Sequence, residues 1–224
     1  MPGQTLLIIL VFAAIAGLGW WFSSKRRKEL TAWATSKGLR LAQGHHRNLD
    51  AAYPSFGCLH RGHSRRARNV MRGEWNGREL LAFDYTYVTG HGKNRSTHTF
   101  SAIILHSTLP LKPLSIRPEN VFDKVTEFFG VDDIDFESAQ FSREFHVKSP
   151  DKRWAYDVLH QRTMEFLLSK GKFSIEFDAQ DAIVWKNRRF GAQLFEEAIE
   201  VIEGIYDRIP EYVVRQQTGG EGTP

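Results

Sequence analysis

The N-terminal segment constrains the fold of this chain more than any other feature. Residues 5–22 read TLLIILVFAAIAGLGWWF, eighteen residues without a charged side chain. At about 1.5 Å of rise per residue, a helix of this length extends about 27 Å, close to the roughly 30 Å of a bilayer's hydrocarbon layer. Trp20 and Trp21 lie at one end, and indole rings prefer the headgroup layer. We therefore expect a transmembrane helix at 5–22.

A basic block follows the apolar segment and predicts its orientation. It consists of Lys25, Arg26, Arg27 and Lys28. Positive charges beside a span stay on the cytoplasmic side, whereas a secretory signal peptide carries its charge before the apolar stretch. We therefore expect a single-pass protein of the cell membrane, with residues 1–4 outside and the main domain in the cytoplasm. A stop-transfer flank on an exported domain is the alternative.

The rest of the chain is long enough for one sizeable folded domain. Hydrophobic residues make up 42% and aromatic residues 12%, which argues against a disordered tail. A single cysteine, Cys58, leaves no intrachain disulfide and favours the cytosol. We expect a basic juxtamembrane helix at 23–38, a cytosolic domain at 39–215 and a disordered tail at 216–224.

The first part of this domain has the pattern of an antiparallel sheet. Three β-rich runs, 67–75, 79–88 and 97–106, follow one another; a short turn joins the first two, and a longer polar turn at 89–96 joins the last two. The first turn contains Asn76-Gly77, the dipeptide typical of a tight hairpin. These runs predict a three-strand meander.

The second part mixes strands and helices. The pattern predicts a strand at 114–117, a helix that begins at Pro118, a strand at 141–148, a hairpin of 173–177 with 182–186, and an amphipathic helix at 192–209. The predicted class is α+β: an N-terminal transmembrane helix, a mainly antiparallel sheet domain with several helices, and a long C-terminal amphipathic helix. The strand count also fits a pleckstrin-homology-like arrangement if the helices at 118–170 are insertions.

Basic residues near the anchor predict contact with anionic lipid or with a membrane partner protein. A basic residue close to an anionic bilayer contributes about 1 kcal/mol of attraction. The candidates are Lys25, Arg26, Arg27, Lys28, Arg61, Arg65, Arg66, Arg68 and Arg72. The alternative interpretation of the arginine-rich run is a charged strand edge.

Motifs for catalysis or cofactor binding are absent from the sequence. It contains no GxSxG, HExxH or GxGxxG, and Cys58 lacks thiolate partners for a structural zinc site. We therefore expect no cofactor, no metal and no catalytic residue recognisable from a motif.

An enzyme whose site assembles from distant strand residues is the main alternative. His98, Ser101 and His106 share one predicted strand. Asp84 is the candidate residue opposite them on the neighbouring predicted strand. A part-apolar pocket lined by two or more of these groups would favour this alternative.

The sequence also bears on two further classes of function, a scaffold and a nucleic-acid-binding protein. Ala13 and Gly17 form a small-xxx-small pair that could bring two anchors together, so a homo-oligomeric scaffold is a second alternative. Nucleic acid is disfavoured because the aromatic residues lie outside the arginine-rich stretch HRGHSRRARNVMR rather than between its arginines.

Several segments resemble a known group of proteins. They include LTAWATSKGLRL, RRARNVMRG, LLAFDYTYVTGHGKNRSTHTFSAIIL, SIRPENVFDK, DDIDFESAQFSREFHVKS, RWAYDVLHQRTMEFLL and YDRIPEYV. Together they are similar to bacterial single-pass membrane proteins of unknown function from high-GC Gram-positive bacteria. The resemblance implies a membrane topology and an α+β domain, and it implies no reaction. The function predicted from the sequence is a membrane-anchored cytosolic interaction domain that binds anionic lipid or a partner protein.

Overall fold

The computed structural model describes residues 2–42, 44, 46–119 and 132–218. Its helices are α1 (Pro2–Ser36), α2 (Leu49–Ala52), α3 (Ala139–Glu144), α4 (Lys152–Val158), α5 (Gln161–Ser169), α6 (Ala192–Tyr206) and α7 (Glu211–Gln217). Its strands are β1 (Arg40–Leu41), β2 (His63–Trp75), β3 (Arg78–Thr89), β4 (Ser96–Pro118), β5 (Phe145–Lys148) and β6 (Ser174–Lys186). The predicted α+β class is confirmed.

The six described strands form one antiparallel sheet. The order is β1-β2-β3-β4-β5, and β6 also pairs with β4. The predicted meander is confirmed as β2, β3 and β4. Asn76 and Gly77 both have positive φ, 49° and 78°, as the tight turn between β2 and β3 requires. The more specific pleckstrin-homology-like arrangement stays a prediction.

The length of strand β4 explains why two elements differ from those predicted from the sequence. The predicted strand at 114–117 is the end of β4, which pairs with both β5 and β6. The predicted hairpin at 173–186 is wrong, because β6 is one strand that follows β4 along its length. Register shifts around Leu111 and a positive φ of 49° at Ala179 let the two strands bend together without a turn.

Three other predicted elements also differ. The predicted strand at 141–148 starts at Phe145, because Ser138 caps helix α3 by accepting a hydrogen bond from the backbone N–H of Phe141. Pro118 ends β4, and the rest of the helix predicted to begin there lies largely outside the described residues. The predicted C-terminal amphipathic helix is α6, which ends at Tyr206 and is followed by α7.

The sheet has an apolar core on each face. Alternation along β3 places Leu80 and Ala82 in the larger core with α1 and α6, and it places Leu81 and Phe83 in the smaller one. The segment from α2 to residue 60 covers the smaller core. The sheet is thus buried on both sides, and polar groups on its central strands need partners within the protein.

Helix α1 divides into a docked half and an exposed half. In the docked half, Leu30 and Ala34 are buried, and Trp33 stacks on Phe195 with 5.4 Å between ring centroids. In the exposed half, large apolar side chains have no cover: Leu7, Ile9, Leu10, Val11, Phe12, Ile15, Leu18, Trp20, Trp21 and Phe22. Within the described part of the chain, no helix has both the length and the apolar character needed to cross a bilayer. The transmembrane helix at 5–22 stays a prediction.

Candidate functional site

A buried carboxylate lies where the docked half of α1 crosses the sheet. Asp84 is in the middle of β3, only 4% exposed, and Ser101 of β4 lies directly across from it. Asp84 lies on the α1 side of the sheet, like Leu80 and Ala82 two and four positions before it. Such a charge is costly to bury unless other groups compensate it.

Three side chains satisfy this carboxylate completely. Arg26 of α1 forms a bidentate pair with it, with Nη1–Oδ2 at 2.6 Å and Nη2–Oδ1 at 2.8 Å. Asn69 donates to Oδ2 at 2.8 Å, and the Ser101 hydroxyl donates to Oδ1 at 2.5 Å. Each carboxylate oxygen therefore accepts two hydrogen bonds. Asp84 has no oxygen left for a substrate proton, which disfavours a general-base role.

The same network continues to the loop after β6. The backbone carbonyl of Phe190 accepts from Nε and Nη2 of Arg26, at 3.1 and 2.7 Å. The Phe190 N–H donates to the Ser101 hydroxyl at 2.9 Å. Arg26 thus joins three parts of the chain: α1, the centre of the sheet and the loop that leads into α6.

A bulge in β2 brings Asn69 into this network. Asn69 has a positive φ of 48°, and the pairing of β2 with β3 shifts register between Arg68 and Met71. A bulge reorients side chains relative to the regular alternation of a strand. As a result Arg68, Asn69 and Met71 all lie on the α1 side of the sheet, whereas Val70 lies in the smaller core.

A basic cleft of about 380 Å³ opens beside the network, between α1 and the sheet. Its walls carry four arginines, which are Arg26, Arg27, Arg68 and Arg189. Its other lining residues are Ser23, Leu41, Ala42, Gly44, Asn69, Asp84, Thr86 and Thr99. We call this the basic cleft. Its composition suits an anion.

Three of the four arginines are free to bind a ligand. Arg26 is committed to Asp84 and Phe190. The side chains of Arg27, Arg68 and Arg189 are exposed, and none forms a hydrogen bond or ion pair with a residue that the structure describes. The basic cleft therefore presents uncompensated positive charge.

The predicted lipid-contact residues do not form a single surface. Arg26, Arg27 and Arg68 line the basic cleft. Arg65 pairs with Asp50 at 3.1 Å, and Arg61 lies 4.3 Å over the ring of Trp185. The remaining candidates are Lys25, which lies over the ring of Trp21, the exposed Lys28, the half-buried Arg66 and the exposed Arg72. Contact of any of them with lipid stays a prediction.

The four candidates for an assembled enzyme site are only partly brought together. Asp84 and Ser101 are hydrogen-bonded. His98 instead bonds to Thr89 at 2.7 Å, and His106 bonds to Asp181 at 3.2 Å. Alternation along β4 places both histidines on the face opposite to Ser101. Of these four residues, Asp84 alone lines the basic cleft.

Glu176 and Cys58 are buried titratable groups that lie away from the basic cleft. Glu176 pairs with Arg117 at 2.9 Å, and burial raises the pKa of its carboxyl. Burial also raises the pKa of the Cys58 thiol well above its usual value. Among the described residues, no group of three or more His, Cys, Asp or Glu side chains could hold a metal ion.

Sequence reasoning missed several residues of the site, among them Asn69, Arg189 and the hydroxyl-bearing Ser23, Thr86 and Thr99. Arg189 lies in the loop after β6 and gave no motif, and Asn69 enters only through the bulge. The positive run at residues 61–78 was a signal for Arg68. Neither Asn69 nor Arg189 could be linked to Asp84 from the sequence, because they meet only in the folded protein.

Comparison with known proteins shows a shared fold. No protein-family model matches the chain, and no curated protein sequence matches it. The chain is similar to the crystal structure of the mycobacterial trehalose monomycolate transport factor A, TtfA, with a TM-score of 0.63 and 12% sequence identity. The similarity covers 83% of this chain and 96% of that one. At this identity it establishes the fold alone.

Proposed function

We propose that this chain is a membrane-associated interaction protein. The apolar half of α1 lies in lipid, and the folded body binds a membrane component, either an anionic lipid or a partner protein. The observation that carries the proposal is the exposed half of α1. Ten large apolar residues between Leu7 and Phe22 are each 51% to 74% exposed. Exposed apolar surface of this extent marks an interaction site.

The exposed residues surround the helix, which favours lipid over a protein groove. Trp20, Trp21 and Phe22 are consecutive and all exposed, so they cover about 200° of the helix circumference at about 100° per residue. A helix that is apolar all round is typical of a membrane or of the core of a large protein. An amphipathic helix lying on a bilayer surface would keep one polar face.

The topology is part of this proposal. No described helix is both long enough and apolar enough to cross a bilayer, so the proposal rests on exposure and on the uncharged run at 5–22. With the basic block at 25–28 on the cytoplasmic side, residues 1–4 face outward and the body faces the cytoplasm. The resemblance to bacterial single-pass membrane proteins supports the same arrangement.

The structural neighbour supports a role connected with lipids. TtfA is described as a transport factor for trehalose monomycolate, which is a glycolipid. Because only the fold is shared, the substrate of TtfA is not carried over to this chain. What we propose from this analogy is only that the partner of this chain is a membrane component.

Membrane flotation of the full chain tests the proposal. Ala14→Asp places a charge within the exposed half of α1, and Ala32→Asp makes the same change at an exposed position of the docked half. We expect the wild type and Ala32→Asp to float with membranes, and Ala14→Asp to stay with the soluble fraction. Equal flotation of the two variants would contradict the proposal.

Orientation and oligomeric state need separate measurements. Protease added outside intact cells should leave the body uncut, and digestion of the body would refute the cytoplasmic placement. The scaffold alternative predicts oligomers in detergent that Gly17→Leu weakens. An added Cβ at Gly17 meets no atom of the single chain within 4 Å, so that substitution should leave the fold unchanged.

A further inference from the structure

We infer that the basic cleft binds the phosphate group of an anionic lipid headgroup. The inference rests on the proposed membrane location for the source of the phosphate, whereas the chemistry of the site stands on its own residues. The basic cleft lies between α1, β2 and the loop after β6, and each of these elements contributes one of the free arginines.

The charge of the basic cleft is not balanced within the part of the chain that the structure describes. Asp84 is the one carboxylate in its lining, and that carboxylate is saturated by Arg26, Asn69 and Ser101. It therefore compensates Arg26 and leaves Arg27, Arg68 and Arg189 without a counter-charge among the described residues. Guanidinium groups are planar and bind phosphate oxygens in a bidentate manner, which makes arginine the preferred residue for this group.

Neutral donors complete the lining. The hydroxyls of Thr86 and Thr99 are 3.2 Å apart and bond to each other. One hydroxyl of such a pair donates to the other, so the second keeps its proton for a ligand. Ser23 contributes a further hydroxyl from α1. The volume of about 380 Å³ lies within the range of small-molecule sites, roughly 300–1,000 Å³.

The position of the basic cleft along α1 points to a lipid. Ser23 lines it and directly follows Phe22, the last residue of the exposed apolar half. If that half lies in the hydrocarbon layer, Ser23 lies at the depth of the headgroups. Trp20 and Trp21, just before it, suit the same layer.

The Arg26–Asp84 network gives the basic cleft fixed walls. Arg26 ties α1 to β3 and to the backbone of Phe190, which is adjacent to Arg189. The free arginines are therefore carried on elements that are already joined before a ligand arrives. A preorganised site loses less conformational entropy on binding.

Native mass spectrometry of the full chain in detergent tests the inference. The probes are phosphatidylglycerol, zwitterionic phosphatidylcholine and soluble glycerol phosphate. The variant Arg68→Gln/Arg189→Gln removes two charges from the basic cleft. Its matched control, Arg72→Gln/Arg95→Gln, removes two charges elsewhere, since Arg72 lies opposite Leu81 of the other sheet face and Arg95 lies in the β3–β4 turn.

We expect the wild type and the control to retain phosphatidylglycerol in preference to phosphatidylcholine. The cleft variant should bind phosphatidylglycerol at least about tenfold more weakly, because each lost charge-assisted hydrogen bond costs on that order. Equal retention by the cleft variant, or equal loss in the control, would overturn the inference. Displacement of the lipid by equimolar glycerol phosphate would overturn the lipid assignment and leave a soluble phosphate ester as the ligand.

Two further measurements keep the test decisive. Both substituted arginines are exposed and unpartnered among the described residues, so the cleft variant should keep the wild-type near-ultraviolet circular dichroism. Should it unfold, Arg68→Lys/Arg189→Lys keeps the charge and removes the planar fork, and it should still weaken retention. Flotation separates the two proposals. A wild type that does not float with membranes refutes the membrane proposal. A chain that floats, but whose lipid binding is unchanged by substitutions in the basic cleft, refutes this inference alone.

Discussion

Arg26 and Asp84 are 58 positions apart in the chain and form a bidentate ion pair, with contacts of 2.6 and 2.8 Å. The Asp84 side chain is 5% exposed and the Arg26 side chain 21%. This pair fixes the helix that carries the exposed apolar half against the centre of the sheet. Removing one partner of a buried pair leaves an uncompensated charge, which is more costly than the pair itself is stabilising.

Asp84→Asn should therefore destabilise the protein by about 2–3 kcal/mol. The amide leaves Arg26 without a counter-charge, and partial exposure of Arg26 keeps the loss below that of a fully buried pair. Chemical unfolding of the full chain in detergent measures this change. Asp132→Asn is the control, because Asp132 is exposed and unpaired among the described residues, and it should shift stability by less than about 0.5 kcal/mol. Equal effects of the two substitutions would contradict the prediction.

Glu176→Gln should change the pH dependence of stability. Burial raises the pKa of Glu176 above its usual 4.5, so the folded state binds this proton more tightly than the unfolded state. Its contribution to stability therefore falls as pH rises from 4.5 through the raised folded pKa. The free energy of unfolding, measured from acid to neutral pH, should show the variant becoming more stable relative to the wild type across that pH range.

Asp151→Asn should change the pH dependence of stability in the opposite direction to Glu176→Gln. Its hydrogen bond from Lys112 lowers the pKa of the Asp151 carboxyl below its usual 3.8. The stability that this carboxylate contributes is present above 3.8 and is lost as pH falls through the lowered folded pKa. If the stability of both variants, relative to the wild type, changed with pH in the same direction, the raised pKa of Glu176 and the lowered pKa of Asp151 would both be refuted.

Gly62→Ala should destabilise the protein more than Gly77→Ala. Both glycines have positive φ, 56° and 78°, so each substitution carries a conformational cost of about 1 kcal/mol. A Cβ at Gly62 would in addition overlap the carbonyl oxygen of Val88, whereas one at Gly77 meets nothing within 4 Å. We expect a loss of about 3 kcal/mol at Gly62, since a fixed backbone group cannot move aside. Thermal unfolding of the two variants side by side checks the difference, and equal losses would contradict it.

Cys58 should resist thiol reagents in the folded protein. The side chain is fully buried, and burial raises the pKa of the thiol, so the reactive thiolate is scarce near neutral pH. Labelling with iodoacetamide, followed by intact-mass measurement, should be slow in buffer and fast in denaturant. Rapid labelling of the native chain would show that the α2 to residue 60 segment opens readily. A Leu59→Cys variant places a second thiol at a buried position, and its labelling rate can be compared with that of Cys58.

The meander was predictable from the sequence because its determinants are local. Alternating side chains and the Asn76-Gly77 turn specify register without reference to the rest of the chain. The hairpin predicted within β6 failed for the opposite reason. Polar residues at 178–181 have the composition of a turn, yet pairing with the long strand β4 keeps this segment extended.

The basic cleft was only partly predictable. Charge composition indicated Arg68 and the block that includes Arg27, but the arginines of residues 61–78 divide between the two sheet faces because the bulge at Asn69 changes the alternation. The meeting of Arg26 with Asp84 and Phe190 depends on contacts 58 and 164 positions apart. No periodicity in a single sequence carries that information.

The absence of glycine and proline between Trp20 and Ser36 has a mechanical consequence. Helix α1 is 35 residues long and extends about 52 Å as one rod. Without a hinge in this stretch, a change in the rod's tilt must turn the sheet that Arg26 clamps to it. A force applied at the Trp20 end of this stretch therefore reaches Arg26 and Arg27 without passing through a glycine or a proline.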